Sequence, residues 1–243
     1  MPTPAEIIVH DGPDDVAEAL AARLTSTLAD IQARGRTPQV CLTGGGIATK
    51  AYTRLAADGP GDVDWSHVGL WWGDERFVPA GDADRNADGT LATLRGPLRL
   101  GDAYVHVMPA SDADLDLDEA AAAYARELGD TVFDVCLLGM GPDGHVASLF
   151  PGHPSLGTAG TVIAVRNSPK PPPDRISVTL EVINRSRQVW FCVSGAEKAE
   201  AVGRGVLGTG PELVPAARAS GTEATVWLVD TAAAADLPDR LEG

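Results

Sequence analysis

Apolar residues along the chain follow two alternating spacings, and each spacing predicts one kind of secondary structure. In residues 14–34, Val16, Leu20 and Leu24 recur four positions apart, as they would along one buried face of a helix. The same spacing predicts four more helices, at 48–57, 117–128, 197–206 and 231–235.

Between these helices lie short apolar runs that are rich in β-branched residues, and such runs are typical of buried strands. They predict strands at 39–43, 67–72, 104–108, 133–138, 162–165, 176–180, 188–193 and 225–229. Strands that alternate with helices favour an α/β fold, with a mostly parallel sheet covered by helices on both faces. No repeat or long linker interrupts the pattern, so we expect residues 1–243 to form a single domain.

The charge balance narrows the range of binding partners. The formal net charge is −15, from 34 acidic and 19 basic residues, which argues against nucleic acid or an anionic membrane surface as a partner. An anionic small molecule would have to be bound by a local cluster of donors, because the long-range field of the chain would repel it.

The features of the sequence that bear on cellular location predict a cytoplasmic protein. No run of 18 apolar residues predicts a membrane span, and residues 1–10 do not have the pattern of a secretory signal. The three cysteines, Cys41, Cys136 and Cys192, each lie in an apolar run without paired spacing. We therefore expect buried, reduced thiols and no metal site among them.

Three polar or glycine-rich clusters follow predicted strands, at 43–46, 73–76 and 139–145. In open parallel sheets, ligands bind beyond the carboxyl ends of the strands, so we expect the three clusters to share one edge. The first cluster, Thr-Gly-Gly-Gly, stands before a helix and would offer backbone N–H groups to an anion such as phosphate. A glycine turn without a ligand is the alternative.

The segment Gly139-Met-Gly-Pro-Asp-Gly matches the G-x-G-x-x-G pattern of dinucleotide sites, but we reject that interpretation. No acidic residue occurs between Gly144 and Asp174, so the carboxylate that would bind the ribose is missing. Pro142 also cannot donate an N–H group at the start of a helix. We therefore expect no dinucleotide cofactor.

Asp143 and His145 remain as candidate chemical groups in this loop. A histidine titrates near neutral pH and can take a proton from water, and a nearby carboxylate can orient its ring. From spacing alone, a catalytic histidine and a histidine that only fixes the loop are equally supported.

Four charged residues are candidate ligands for a small anionic molecule: Asp74, Arg76, Arg175 and Lys198. Arg76 follows a strand and could form paired hydrogen bonds with a carboxylate or phosphate. Lys198 stands near a helix start, where a bound anion would offset its unfavourable position. Asp74 and Arg76 could equally form a surface ion pair. For Lys198 a solvated side chain is favoured from these residues alone, and a surface charge is likewise the alternative for Arg175.

Five ordered blocks form the most specific pattern in the chain: LTGGG at 42–46, WGDERFVP at 72–79 with Asn86 downstream, FDVCLLGMGPDGHVASLFPG at 133–152, SPKPPPDRISVTL at 168–180 and VSGAEKAEAV at 193–202. Together they resemble the glucosamine-6-phosphate isomerase/6-phosphogluconolactonase family. The resemblance covers most of the chain. It implies a Rossmann-like single domain and hydrolysis of 6-phospho-D-glucono-1,5-lactone to 6-phospho-D-gluconate.

The resemblance also implies roles for individual residues. His145 would be the general base, with Asp143 beside it, and neither a metal nor a cofactor would be needed. Substrate contacts would be made by six residues: Gly44, Gly45, Asp74, Arg76, Arg175 and Lys198. We expect the chain to act as a monomer.

The sequence departs from the family pattern in the first block and after the histidine. Gly46 stands where the family usually has Ser or Thr, so the phosphate would rely more on backbone N–H groups, with Thr43 or Thr49 as a source of a hydroxyl. Val146 follows His145 where Thr is frequent.

Two rival functions remain. In the related glucosamine-6-phosphate deaminases a Glu in the segment after the histidine moves protons, whereas Phe150 stands at the corresponding place here. We therefore rank a deaminase-isomerase below a lactonase. A non-catalytic module that only binds a sugar phosphate is the second rival, because a fold alone does not imply activity.

Overall fold

The computed structural model describes residues 5–208 and 214–238. Nine strands are present in that part of the chain: β1 Glu6–His10, β2 Gln39–Leu42, β3 Gly69–Trp72, β4 Asp74–Arg76, β5 Val135–Leu138, β6 Val162–Val165, β7 Arg175–Val178, β8 Gln188–Val193 and β9 Ala224–Asp230. The α-helices of the same residues are α1 Pro13–Ala33, α2 Gly46–Asp58, α3 Asn86–Leu98, α4 Leu117–Leu128, α5 Leu180–Arg185 and α6 Ala199–Leu207.

Six strands form one parallel sheet in the order β1-β9-β8-β5-β2-β3. This arrangement confirms the predicted α/β fold with a mostly parallel sheet. A second sheet, in the order β4-β7-β6, is antiparallel and was not predicted. Residues of β4 and β7 contribute directly to the cavity described below, so the small sheet forms one wall of that cavity.

Alternate residues of the parallel strands enter two apolar cores, one on each face of the sheet. In β2, Val40 and Leu42 pack with residues of α1, α2 and α3, whereas Cys41 packs with residues of α4, β6 and β7. Successive side chains of a strand point to opposite faces of the sheet, and both faces are buried here. The strands are therefore continuous apolar runs in the sequence. The prediction of helices on both faces is therefore confirmed.

Helix α3 was not predicted, and the contacts at its N-terminus explain why it forms. Its sequence contains Gly89, Gly96 and Pro97, which are unfavourable inside helices. The buried carboxylate of Glu75, which is distant in sequence, accepts N–H groups of Asn86 at 2.7 Å and Ala87 at 2.8 Å. This carboxylate does what a local capping residue does in other helices.

Two predicted elements are wrong. Residues 104–108 form no strand: a single bridge joins Val105 to Leu70, and the chain then leaves the sheet edge. Residues 231–235 form turns rather than a helix, with Asp230 accepting the N–H group of Ala233 through its side chain.

The remaining predicted elements are present: those at 117–128, 162–165 and 188–193 have the predicted ends, and the others have shifted ends. Helix α5 and strand β1 were not predicted. Within the described residues, no helix has the combined length and apolarity needed to cross a bilayer. The three cysteines are buried and unpaired. The single-domain prediction for residues 1–243 includes chain ends outside the described residues and stays a prediction.

Candidate active site

A cavity of about 360 Å³ opens at the carboxyl edge of the parallel sheet. It is bounded by the segments that follow β2, β5 and β8, together with β4, β7 and the loop before β7. All the predicted site residues except Asp143 line it: Gly44, Gly45, Asp74, Arg76, His145, Arg175 and Lys198. The three clusters therefore lie at one edge of the sheet, as predicted. Asp143 does not line the cavity but contacts His145.

The loop after β5 turns back on itself instead of starting a helix. Gly144 donates its N–H to the carbonyl of Gly141 at 2.9 Å, and Gly141 donates to the carbonyl of His145 at 3.2 Å. A Cβ on Gly141 would lie 2.1 Å from Cε1 of His145, so a side chain at 141 would displace the imidazole. The glycines thus serve close packing around His145, and no helix N-terminus for a dinucleotide is formed.

His145 and Asp143 form a close pair. Nδ1 of His145 lies 2.5 Å from Oδ1 of Asp143, which fixes that nitrogen as the one facing the carboxylate. The other ring nitrogen, Nε2, is then left for chemistry in the cavity. The Phe150 ring packs against the imidazole with centroids 4.7 Å apart and limits its rotation. A base oriented by a carboxylate is an arrangement suited to taking a proton from water.

The surroundings of this pair shift both pKa values. Burial lowers the pKa of His145 below its ordinary value, and this effect outweighs the opposing hydrogen bond from Asp143. Burial alone would raise the pKa of Asp143, but the hydrogen bond and charge of His145, with the charge of Lys170, hold it below its ordinary value. At neutral pH the imidazole is therefore neutral and the carboxylate ionised, as a general base requires.

Asp74 is buried at the side of the cavity and is held by a hydroxyl. Ser148 donates its Oγ hydrogen to Oδ2 of Asp74 at 2.7 Å, and Nη1 of Arg175 lies 3.9 Å from the same oxygen. Ser148 has no exposed surface, so its hydroxyl is committed to Asp74 and is not placed as a nucleophile.

Most of the N–H donors of Arg175 form hydrogen bonds within the protein. Its Nε donates to the carbonyl of Pro172, and its Nη2 donates to the carbonyls of Lys170 and Pro171, each at 3.1 Å. Burial lowers the pKa of this guanidinium, against the raising effect of Asp74. Of the three guanidinium nitrogens, only Nη1 donates to none of these loop carbonyls. Arg175 therefore has fewer free donors for a ligand than the five N–H groups of a guanidinium.

Arg76 is positioned by Asn86, which lies downstream of the second family block and was not predicted to belong to the site. Nη1 of Arg76 donates to Oδ1 of Asn86 at 2.5 Å, and Nδ2 of Asn86 donates to the carbonyl of Asp74 at 3.1 Å. A Cβ on Gly44 would lie 2.1 Å from Oδ1 of Asn86. The glycine at 44 therefore leaves room for the amide that orients Arg76.

The glycine loop presents its backbone to the cavity. Within the described residues, the N–H groups of Gly44 and Gly45 donate to no protein acceptor, and Gly45 caps α2 without a side chain. Unpaired N–H groups at a helix N-terminus favour an anion. Of the two expected hydroxyl donors, Thr43 lines the cavity, whereas Thr49 donates to the carbonyl of Gly45 at 3.1 Å and lies outside it.

Two lysines line the same cavity, Lys198 and Lys170, and only Lys198 was predicted to contact a ligand. Lys198 ends a 3-10 turn that precedes α6, close to its predicted helix start. Lys170 lies in the proline-rich motif and was not predicted to belong to the site, yet its Nζ lies 3.5 Å from Nδ1 of His145. The family block was the signal that could have indicated it, because it also contains Arg175.

The fold and the cavity together define an α/β protein in which a histidine–carboxylate pair stands beside a cluster of groups that could bind a small anion. In residues 5–208 and 214–238, no three carboxylate, thiol or imidazole side chains come together as metal ligands would. The family described as glucosamine-6-phosphate isomerases/6-phosphogluconolactonase matches residues 11–227, and the chain belongs to that family.

Relatives and solved structures agree with this assignment. The chain is 45% identical to the 6-phosphogluconolactonase of Streptomyces coelicolor, over 97% of this chain and 96% of the relative. It is 36% identical to the 6-phosphogluconolactonase of Rattus norvegicus, over 96% and 94%. A crystal structure of 6-phosphogluconolactonase from Thermotoga maritima has a TM-score of 0.82 at 26% identity, covering 93% of this chain and 99% of that one.

A solved glucosamine-6-phosphate deaminase of the monomeric type has a TM-score of 0.76 at 20% identity, covering 95% of this chain and 99% of that one. At that identity the likeness shows a shared fold and nothing about chemistry.

Proposed function

We propose that this chain hydrolyses 6-phospho-D-glucono-1,5-lactone to 6-phospho-D-gluconate, a step of the oxidative pentose phosphate pathway. The observation that carries the proposal is the His145–Asp143 pair, whose imidazole lines the same cavity as the glycine loop and Lys198. Relatives that carry the name 6-phosphogluconolactonase align over nearly the full chain and support the choice of substrate.

The phosphate of the substrate binds at the glycine loop in this proposal. The N–H groups of Gly44 and Gly45 supply hydrogen bonds, and the N-terminus of α2 supplies partial positive charge. Lys198 and Arg175, which line the same cavity, each add a full positive charge. This local cluster of donors would bind the phosphate although the net charge of −15 repels anions at long range.

The lactone end then lies toward His145. Nε2 of His145 takes a proton from water while the water oxygen bonds to the carbonyl carbon and the carbonyl pair moves onto its oxygen. When that pair returns, the bond from the carbon to the ring oxygen breaks, and the imidazolium gives its proton to the leaving oxygen. Asp143 stabilises the imidazolium between the two steps. Asp74 and Arg76 position the sugar hydroxyls and the carboxyl end.

Lactone hydrolysis measured against the spontaneous rate tests this function. We expect the chain to accelerate hydrolysis and His145→Ala to lower kcat by roughly 10²–10⁴, the usual contribution of a general base. His67→Ala is the matched control, because His67 is exposed and contacts Asp64, and neither residue lines the cavity. Near-normal turnover by His145→Ala would refute the role of His145 as base.

The deaminase alternative is weakened by the surroundings of the histidine. Phe150 is buried and packs on the imidazole, so an apolar ring occupies the place where a proton-transferring carboxylate would be needed. Ammonia release from glucosamine 6-phosphate would favour the deaminase, and binding of the lactone without acceleration would favour the inactive module.

We further propose that the chain works as a monomer, because residues of one chain surround the cavity. The unpaired, buried cysteines support a reducing compartment such as the cytoplasm. Fractionation of cells that produce the chain tests this location.

A further inference from the structure

Lys170 occupies a position that the proposed roles of the other residues do not explain. Its Nζ lies 3.5 Å from Nδ1 of His145 and 3.9 Å from Oδ1 of Asp143, and its side chain is 41% exposed. Lys170 is one of only three lysines in a chain with 34 acidic residues, so a surface ion pair with a carboxylate would be its ordinary position. Instead, the ammonium stands at the edge of the cavity beside the catalytic pair.

The backbone that carries Lys170 is fixed on several sides. Its carbonyl and that of Pro171 accept hydrogen bonds from Nη2 of Arg175, and its N–H donates to Oγ of Ser168 at 3.3 Å. Ser168 in turn donates its N–H to the carbonyl of Pro173 at 2.9 Å, which closes the loop. A charge held in place before the substrate arrives needs little reorganisation when charge develops during the reaction.

The ammonium also retains donor capacity. A lysine ammonium has three N–H donors, and in the described residues the contacts of Nζ are the long ones to His145 and Asp143. Because Nδ1 of His145 already faces the carboxylate of Asp143, the ammonium has no good acceptor on the ring. Its donors are therefore available to an oxygen atom of a ligand in the cavity.

We propose that Lys170 is a further catalytic residue, whose ammonium stabilises the negative oxygen formed on the lactone carbonyl when water adds. The proposal rests on the proposed function. In the step concerned, a water oxygen bonds to the carbonyl carbon, the carbonyl electron pair moves to oxygen, and His145 takes the proton from water. The ammonium donates a hydrogen bond to that oxygen until the pair returns and the ring oxygen leaves.

The same geometry has an effect on the base. The charged groups that act on the imidazole are Asp143 and Lys170, with a smaller effect of Asp74, and the Arg175 guanidinium lies over the Phe150 ring, 5.9 Å from its centroid. The positive charge of Lys170 disfavours the imidazolium and so contributes to the lowered pKa of His145, after burial. Removal of this charge must therefore raise the pKa of His145.

Three variants separate a catalytic role from an anchoring role. Lys170→Met keeps the chain length without the charge, Lys170→Arg keeps the charge, and Lys50→Met is the control because Lys50 pairs with Asp14 outside the cavity. We expect Lys170→Met to lower kcat about 10²-fold, as the loss of an oxyanion donor does, with KM changed less than about threefold. Lys170→Arg should recover part of kcat, and Lys50→Met should match the unaltered chain.

Imidazole titration by NMR gives a readout that does not depend on turnover. In Lys170→Met the pKa of His145 should move upward relative to the unaltered chain, and in Lys50→Met it should not. An unchanged pKa, an unchanged kcat, or a loss confined to KM would each overturn the role of Lys170 while leaving the lactonase function in place. If the unaltered chain fails to accelerate lactone hydrolysis, the proposed function is wrong, and this role fails with it.

Discussion

Substitution of Gly44 by alanine is a sharp test of how the site is assembled. Gly44 has a backbone conformation that alanine can adopt, so the effect must come from the added Cβ. That atom would lie 2.1 Å from Oδ1 of Asn86, whereas ordinary contact begins at 3.4 Å. The Asn86 amide must therefore move away.

The movement of Asn86 breaks two hydrogen bonds. One is donated by Nη1 of Arg76 at 2.5 Å, and the other is donated by Asn86 to the carbonyl of Asp74 at 3.1 Å. A hydrogen bond to a charged group contributes about 1.5–3 kcal/mol, so ~2 kcal/mol is a reasonable loss for the orientation of Arg76. If that loss falls on the transition state, kcat/KM for the lactone decreases roughly 30-fold.

The assay is steady-state lactone hydrolysis by Gly44→Ala, Asn86→Ala and the double variant. Because both single changes remove the same contact, the double variant should be little worse than Asn86→Ala alone. Gly89→Ala is the control: Gly89 lies in the same helix as Asn86, with no atom within 4 Å of the added Cβ. Urea unfolding of each variant separates lost activity from lost folding.

Two outcomes would refute this reasoning. Normal kcat/KM in Gly44→Ala would mean that Arg76 does not depend on Asn86. Effects of Gly44→Ala and Asn86→Ala that simply add would mean that the two residues act on different parts of the reaction, for example Gly44 on phosphate and Asn86 on Arg76.

Two further predictions concern pH and assembly. Because burial lowers the pKa of His145 below its ordinary value of 6.5, the decline of kcat/KM at acid pH, measured above the spontaneous rate, should be centred below pH 6.5; a decline centred above 6.5 would contradict the neutral base. The chain should elute with a light-scattering mass near 25.2 kDa, and a mass of twice that value would contradict the proposed monomer.

The sequence predicted the parallel sheet well because its strands are buried on both faces. Runs such as Val135–Leu138 and Gln188–Val193 have buried residues at nearly every position, so apolar content alone indicates them. Residues 104–108 share that composition, but their pairing ends after one bridge to Leu70 at the edge strand β3. Composition does not say whether a neighbouring strand is long enough to pair with.

The antiparallel sheet and α3 depended on contacts between distant residues. β4 has only three residues, too few for a pattern of period two to be recognised. Helix α3 contains residues that disfavour helices and begins where the carboxylate of Glu75 accepts its first N–H groups. Tertiary contacts of this kind override local preference, and a single sequence does not reveal them.

For the site, the residues were predicted better than their partners. Position at strand ends, together with the family blocks, indicated His145, Asp74 and Lys198, and all of them line the cavity. The links between residues came only from the structure, such as Ser148 with Asp74 and Lys170 with His145. Such links join segments that are far apart in sequence, so no local spacing encodes them.

The three carbonyl contacts of Arg175 have a consequence for mutational studies of this enzyme family. An alanine at 175 would remove a cation from the cavity and would also release the backbone that holds Lys170. The measured loss of activity would then have two causes: weaker anion binding and a displaced Lys170 ammonium. The kinetics of Arg175→Ala alone would not separate these two effects. Apportioning the energy requires a cycle in which Lys170 is already absent, so that only the direct share of Arg175 remains to be lost.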